Sequence, residues 1–265
     1  MLLEALTYLF TPSSSLSKKY GFLYSSIALE KRYQRCKKAW RPHLENCRKL
    51  FMDALTKTGQ KNSVVVLGSA HLHEIPLKFL LDNFNKVILI DIQHPFTHHL
   101  KALMNKQLEL RTQDLTKSLG HLDSLTSIED LNALMTRLES EILFEFQADL
   151  IISANILSQL GLLPIKTLEK KLKRDLSVKE KDQICSTYAE LHLKNLANCQ
   201  GRKIIYCDRE VLYFDPDGRQ IYRGSYPVNF SKFQKITDWD WELAPLKEAS
   251  SDYSIHMKIH AYEAL

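Results

Sequence analysis

Two hydrophobic rhythms divide the chain. Over residues 26–56 the apolar positions Tyr33, Cys36, Trp40, Leu44, Cys47, Phe51 and Leu55 recur at spacings of three and four. That is the period of an amphipathic helix, and Pro42, with no N–H to give a helix interior, predicts a bend or a division there. Beyond residue 60 the pattern changes to short unbroken apolar runs: SVVVLG at 63–68, KVILIDI at 86–92, ADLIIS at 148–153 and KIIYCD at 203–208, with a shorter, ambiguous LELR at 108–111. Runs of this length, separated by helix-length segments at about 74–83, 96–107, 128–146 and 165–198, predict parallel strands covered by helices on both faces. The last segment is too long to pack as one helix and is expected to hold two. Near the C terminus, 211–214, the turn DPDG and 219–223 read as a hairpin. Residues 253–262 (YSIHMKIHAY) alternate, with Tyr253, Ile255, Met257, Ile259 and Ala261 on one side. This is the mark of a half-buried strand, expected at an antiparallel edge of the sheet.

The expected fold is therefore α/β: a mostly parallel, doubly wound sheet with an antiparallel C-terminal edge strand and an N-terminal helical extension. Residues 1–60 are taken as a helical cap and 61–265 as the domain that carries the sheet. At 265 residues, 45% hydrophobic and 25% charged, the chain has an ordinary globular composition and the length to bury a core unaided. Five cysteines without a C-x-x-C pair support neither a disulfide framework nor a zinc ribbon. The opening MLLEALTYLF carries Glu4 and no basic leader, and no apolar run approaches the ~18 residues of a membrane span. A cytoplasmic protein is expected, with no membrane partner. The net charge of +5 is uneven: residues 18–49 hold ten basic side chains against Glu30 and Glu45, a local excess of +8. Lys31, Arg35 and Lys38 fall on one helix face, either a solvated surface or a stripe for RNA or another phosphate partner.

In a sheet of this kind ligands bind beyond the carboxyl ends of the strands. The first run is followed by Gly68-Ser69-Ala70-His71-Leu72-His73-Glu74, a small-residue turn into a helix, where backbone N–H groups can approach a ligand. Asp91 follows the second run, 23 residues beyond Gly68, the spacing at which a carboxylate accepts the hydroxyls of a ribose. No G-x-G-x-x-G, P-loop lysine motif or G-x-S-x-G elbow is present, which argues against a dinucleotide dehydrogenase, an NTPase and a serine hydrolase.

With these features in this order, residues 60–210 resemble the class I S-adenosylmethionine-dependent methyltransferases, and the terminal YSIHMKIHAY resembles their antiparallel last strand. The segments RCKKAWRPHLENCR, LGSAHLHEIPLKFL and WDWELAP are similar to a bacterial subgroup of methyltransferase-like proteins. The resemblance implies a Rossmann-like domain with S-adenosylmethionine as cofactor. Gly68, Ser69 and Ala70 would cradle its amino acid end, Asp91 its ribose and Asp114 its adenine, while Ser153 and Asn155 would face the methyl group and the acceptor. Ala70 and Leu72 stand where the family has further glycines, and Val66 where it often has an acid.

Asn155 and His71 are the candidate catalytic residues, since methyl transfer depends on positioning more than on acid–base power. Asn155, with Gln159, could hold an acceptor, or could merely cap the next turn. His71, His73, His94, His98 and His99 all follow the first two runs and could converge on a pocket, but no carboxylate or thiol completes an obvious metal set, and no metal is expected. Asp208, after the KIIYCD run, either faces the substrate or makes a surface ion pair with Arg202 or Arg209. Of Trp239 and Trp241, at most one is expected to line a substrate wall. The functional expectation is direct methyl transfer to an unidentified acceptor. The alternative is a non-catalytic module docking RNA or a protein through the basic helix.

Overall fold

The computed structural model describes residues 11–265, so the expectation for MLLEALTYLF lies outside the described residues. After a short α1 (Ser15–Lys19) comes the long α2 (Phe22–Thr56), then β1 (Ser63–Leu67), α3 (Leu77–Asn83), β2 (Lys86–Asp91), α4 (Phe96–Met104) and β3 (Leu108–Thr112). The chain continues through α5 (Ile128–Glu139), β4 (Gln147–Ala154), α6 (Leu162–Leu172), α7 (Val178–Asn198) and β5 (Gln200–Phe214). It ends with β6 (Gln220–Ser225), β7 (Phe233–Ala244) and β8 (Ser254–Ala264). The eight strands form one sheet in the order β3-β2-β1-β4-β5-β8-β7, with β6 paired to β5. β1 to β5 run parallel, and β8 is antiparallel to both β5 and β7.

The α/β expectation holds, down to the division of 165–198 into two helices. Residues alternate across the sheet: Val64 and Val66 meet α2, while Val65 and Leu67 meet the core under α5, α6 and α7. Burial on both faces is what makes the strands read as unbroken apolar runs.

Three expectations need correction. α2 runs through Pro42 as one helix, so of the bend or division expected there the division is not found. The proline lies on the exposed face, where the carbonyl it leaves unpaired can meet water. The segments 203–208 and 211–214 are one strand, β5, which crosses from the parallel sheet into the β6 hairpin through an irregularity at Asp208/Glu210. The C-terminal strand β8 is interior, because β7 forms the edge beyond it. β7 gave no strand signal because its first half, Gln234 to Asp238, is exposed on both sides and shows no alternation.

Trp239 and Trp241 are both buried, at 8% and 7% exposure. Two residues apart on β7, they share one face, and that face carries α2. Trp40 of α2 meets Trp241 edge-on with ring centroids 4.9 Å apart and donates its indole N–H to the Leu243 carbonyl at 2.9 Å. The tryptophans therefore hold the helix to the sheet and form no open wall. No helix among the described residues is long and apolar enough to cross a membrane.

Trp40, only 2% exposed, is the main bolt of this layer. Trp40→Ala is expected to cost about 3–5 kcal/mol of stability. Tyr24→Ala, at a 72% exposed position on the same helix, should stay within about 0.5 kcal/mol. Urea unfolding midpoints of the two variants check the contrast.

Candidate functional site

The strand order changes direction at β1, which has β2 on one side and β4 on the other. Gly68 and Asn155 occupy the carboxyl ends of β1 and β4 at this switch point, where α/β sheets bind their ligands. Gly68 has φ +78°, and a Cβ there would lie 2.9 Å from the Ala154 carbonyl oxygen, so only glycine lets the two strand ends approach this closely. The turn beyond it is strained: Ala70 has φ +36° and Leu72 φ +63°. Each costs about 1–2 kcal/mol relative to ordinary backbone.

Asp91 braces this turn. Its Oδ2 accepts the Ala70 N–H at 2.7 Å and its Oδ1 the Gln93 N–H at 3.3 Å. A carboxylate has about four acceptor positions, so room remains for ligand hydroxyls. The Ser69 hydroxyl is buried and has no hydrogen-bond partner. Asp114 organises its own loop: one oxygen accepts the Thr116 N–H and hydroxyl at 2.9 and 2.6 Å, the other the Leu119 N–H at 2.9 Å. Ser153 is turned away from the switch point, into the core beneath α7, where its hydroxyl lies 2.9 Å from Nε2 of the buried His192. Next to Asp91, the N-terminal segment is tied down on Gln93, whose side-chain oxygen accepts from the hydroxyls of Ser13 (2.6 Å) and Ser17 (2.7 Å).

A buried polar cluster adjoins Asn155. The residue has φ +48°, and its side-chain oxygen accepts the Asp208 N–H at 3.1 Å while its side chain also hydrogen-bonds Glu74. Its side chain thus joins two neighbouring elements and does not cap the following turn. Glu74 accepts the Tyr206 hydroxyl at 2.8 Å and lies 3.3 Å from Nε2 of His43. The Nδ1 of His43 accepts the Trp239 indole N–H at 2.9 Å, so the ring proton sits on Nε2 and points to Glu74. Burial pushes the Glu74 carboxyl up, but His43, Tyr206 and Asn155 together hold it below its ordinary value. Asp208 moves the other way: burial raises it, and the Ser158 hydroxyl at 2.8 Å offsets only part of that. Two neighbouring carboxyls tuned in opposite directions are an arrangement suited to moving a proton.

Asp208 is thus no surface ion pair: Arg202 pairs with Glu263, and Arg209 lies over the Phe230 ring. The five histidines form two groups bridged by the buried His98, which feels the charges of His71, His94 and His99. His71 and His73 turn toward α2, whereas His94 bonds the Arg111 carbonyl at 3.1 Å and packs edge-on against His99. No interaction among the described residues joins His71 to Asn155. On the basic face of α2, Arg35 makes a two-pronged pair with Glu248 at 2.6 and 2.9 Å. Of the cluster, sequence reasoning singled out Asn155 and Asp208, and left Asp208 between a substrate-facing acid and a surface ion pair. Glu74 stood at the end of the quoted turn without a role, and His43 and Tyr206 gave no signal apart from the helical and strand periods that bury them.

No protein-family model and no curated protein matches the chain. Among solved structures, the N-methyltransferase NodS of Bradyrhizobium japonicum, solved with S-adenosylhomocysteine, aligns at 12% identity and a TM-score of 0.39, covering 88% of this chain and 98% of its own. The 1,6-didemethyltoxoflavin N1-methyltransferase of Burkholderia thailandensis aligns at 11% identity and a TM-score of 0.43, covering 94% and 91%. At this distance no residue's role is carried over from either protein.

His98 and His192 are both buried, and desolvation pulls each down to about 3. The unfolded chain takes up these protons near pH 6.5, the native protein only near pH 3. Stability should therefore be full above that window and fall as the pH drops through it. By pH 5 the loss is expected to be about 2 kcal/mol for each histidine. Urea midpoints between pH 7 and pH 5 measure it, and His192→Asn should remove about half of the slope.

Proposed function

We propose that this protein is a methyltransferase that uses S-adenosylmethionine and transfers the methyl group directly to an acceptor, with no covalent enzyme intermediate. The observation that carries the reading is the meeting, at the switch point, of the Gly68 turn with its buried, unpartnered Ser69 hydroxyl, the Asp91 carboxylate and Asn155. An orphaned buried hydroxyl beside a glycine that permits close approach fits a ligand with polar groups of its own. When bound, S-adenosylmethionine supplies an electrophilic methyl group on a sulfonium centre.

In this reading Asp91 accepts the ribose hydroxyls with the lone pairs that the turn leaves open, and Ser69 satisfies its hydroxyl on the amino acid end. Asp114 shapes the adenine side through the 114–119 loop. Asn155 orients the acceptor. Asp208, whose burial raises its affinity for a proton, takes the one that an N–H or O–H acceptor must lose, and Glu74 stays ionised beside it. Ser153 acts from within the core by fixing the end of β4. His71 supports the turn and does not touch the reacting atoms.

Calorimetric titration with S-adenosylmethionine, and separately with S-adenosylhomocysteine, tests the assignment. The wild-type chain is expected to bind both. Asp91→Asn should weaken binding by about tenfold or more while leaving the melting temperature within a few degrees. Absence of binding in folded wild-type protein, or unchanged affinity in folded Asp91→Asn, overturns the reading.

A further inference from the structure

We infer that Glu30, His71 and His73 form a binding site for a divalent transition-metal ion of the zinc class, which clamps α2 onto the turn after β1. One ligand atom from each residue lies within 4.8 Å of the other two. Glu30 Oε2 is 3.3 Å from Nδ1 of His71 and 3.0 Å from Nε2 of His73. Ligand atoms around a tetrahedral ion with bonds near 2 Å stand about 3.3 Å apart, so the carboxylate already has that spacing to each imidazole, and the two imidazole nitrogens lie within 4.8 Å of each other.

Hydrogen-bond chemistry makes the case sharper. The Nε2 of His71 lies 2.7 Å from the carbonyl oxygen of Ser26, with the Ser26 hydroxyl at 2.8 Å. A carbonyl can only accept, so Nε2 carries a proton, and in the neutral ring Nδ1 presents its lone pair to the Glu30 carboxylate. At 3.3 Å the two acceptors repel unless a second ring proton or a metal cation stands between them, and the metal titration below separates the two. A ligating histidine ordinarily donates its second ring N–H to a backbone carbonyl, as His71 does here. His73 supplies a second sign: its Nε2 is buried with no hydrogen-bond partner, although it is close to Glu30. Stacking on Tyr33, with centroids 3.7 Å apart, holds that ring in place.

Two imidazoles and one carboxylate favour zinc, cobalt or nickel over oxygen-seeking magnesium and calcium or thiolate-seeking copper(I). With the Glu30 side chain 33% exposed, water can fill the open position. The neighbouring group of His43, Cys47 and Glu74 shows the contrast. There Trp239 donates to Nδ1 of His43, and the other ring nitrogen carries its proton to Glu74, so the group is satisfied without an ion. The consequence for the fold is that an ion would bind the helical extension to the segment that holds Ala70 and Leu72 at positive φ.

The test uses the full chain, stripped with a chelator and dialysed, then titrated with zinc chloride by calorimetry and with cobalt(II) by visible absorption. The expected result is about one equivalent of tightly bound zinc, tetrahedral cobalt bands, and a melting temperature raised by zinc. Glu30→Gln, isosteric on a helix surface, and His73→Asn should each weaken zinc binding by at least ~10-fold, and His94→Asn should leave it unchanged. No stoichiometric binding by the folded wild type, or wild-type affinity in both folded Glu30→Gln and His73→Asn, overturns the proposal.

Discussion

The buried imidazole of His43 is the point on which the rest of the molecule hinges. It is fully enclosed, stacks on Trp241 at a 4.1 Å centroid distance, accepts from the Trp239 indole and points its remaining N–H at Glu74. One ring thus connects the long N-terminal helix, the edge strand β7 and the turn that leads from β1 to α3. Its polarity is tolerable only because both ring nitrogens are engaged, since a buried unpaired nitrogen costs more than its bond returns. The same engagement ties the shape of the switch point to the packing of α2, so the helical extension is structurally continuous with the site.

The interior cluster around Asn155 follows from that connection. Glu74 is kept ionised in a largely apolar setting because His43, Tyr206 and Asn155 all direct hydrogens at it. Asp208, supported chiefly by the Ser158 hydroxyl, has weaker support against its burial and holds its proton more strongly. Burial alone would raise both carboxyls. The difference in donors separates them, and the difference is what gives the pair chemical use.

Strain at the turn has a matching support. Ala70 and Leu72 adopt backbone conformations that glycine takes without cost, and the structure holds them by bracing. Asp91 accepts the Ala70 N–H from one side, while Ser26 of α2 holds His71 from the other. A turn that departs from the glycine-rich pattern is thus kept in shape by the acid beyond β2 and by the helical extension.

The parallel strands, their crossover helices, the turn at Gly68 and the acid at Asp91 were all legible in the chain, because each depends on local periodicity or on which residue ends a run. Backbone geometry imposes those signals within a few residues. The place of β8 inside the sheet, the shared face of Trp239 and Trp241, the inward turn of Ser153 and the burial of Asp208 were not. Nor was the meeting of Glu30 with His71 and His73, or of His43 with Glu74, separated by some thirty to forty residues along the chain. These follow from which strand pairs with which and from how one helix lies across the sheet. Such contacts are chosen by packing between distant segments, and no local pattern carries them.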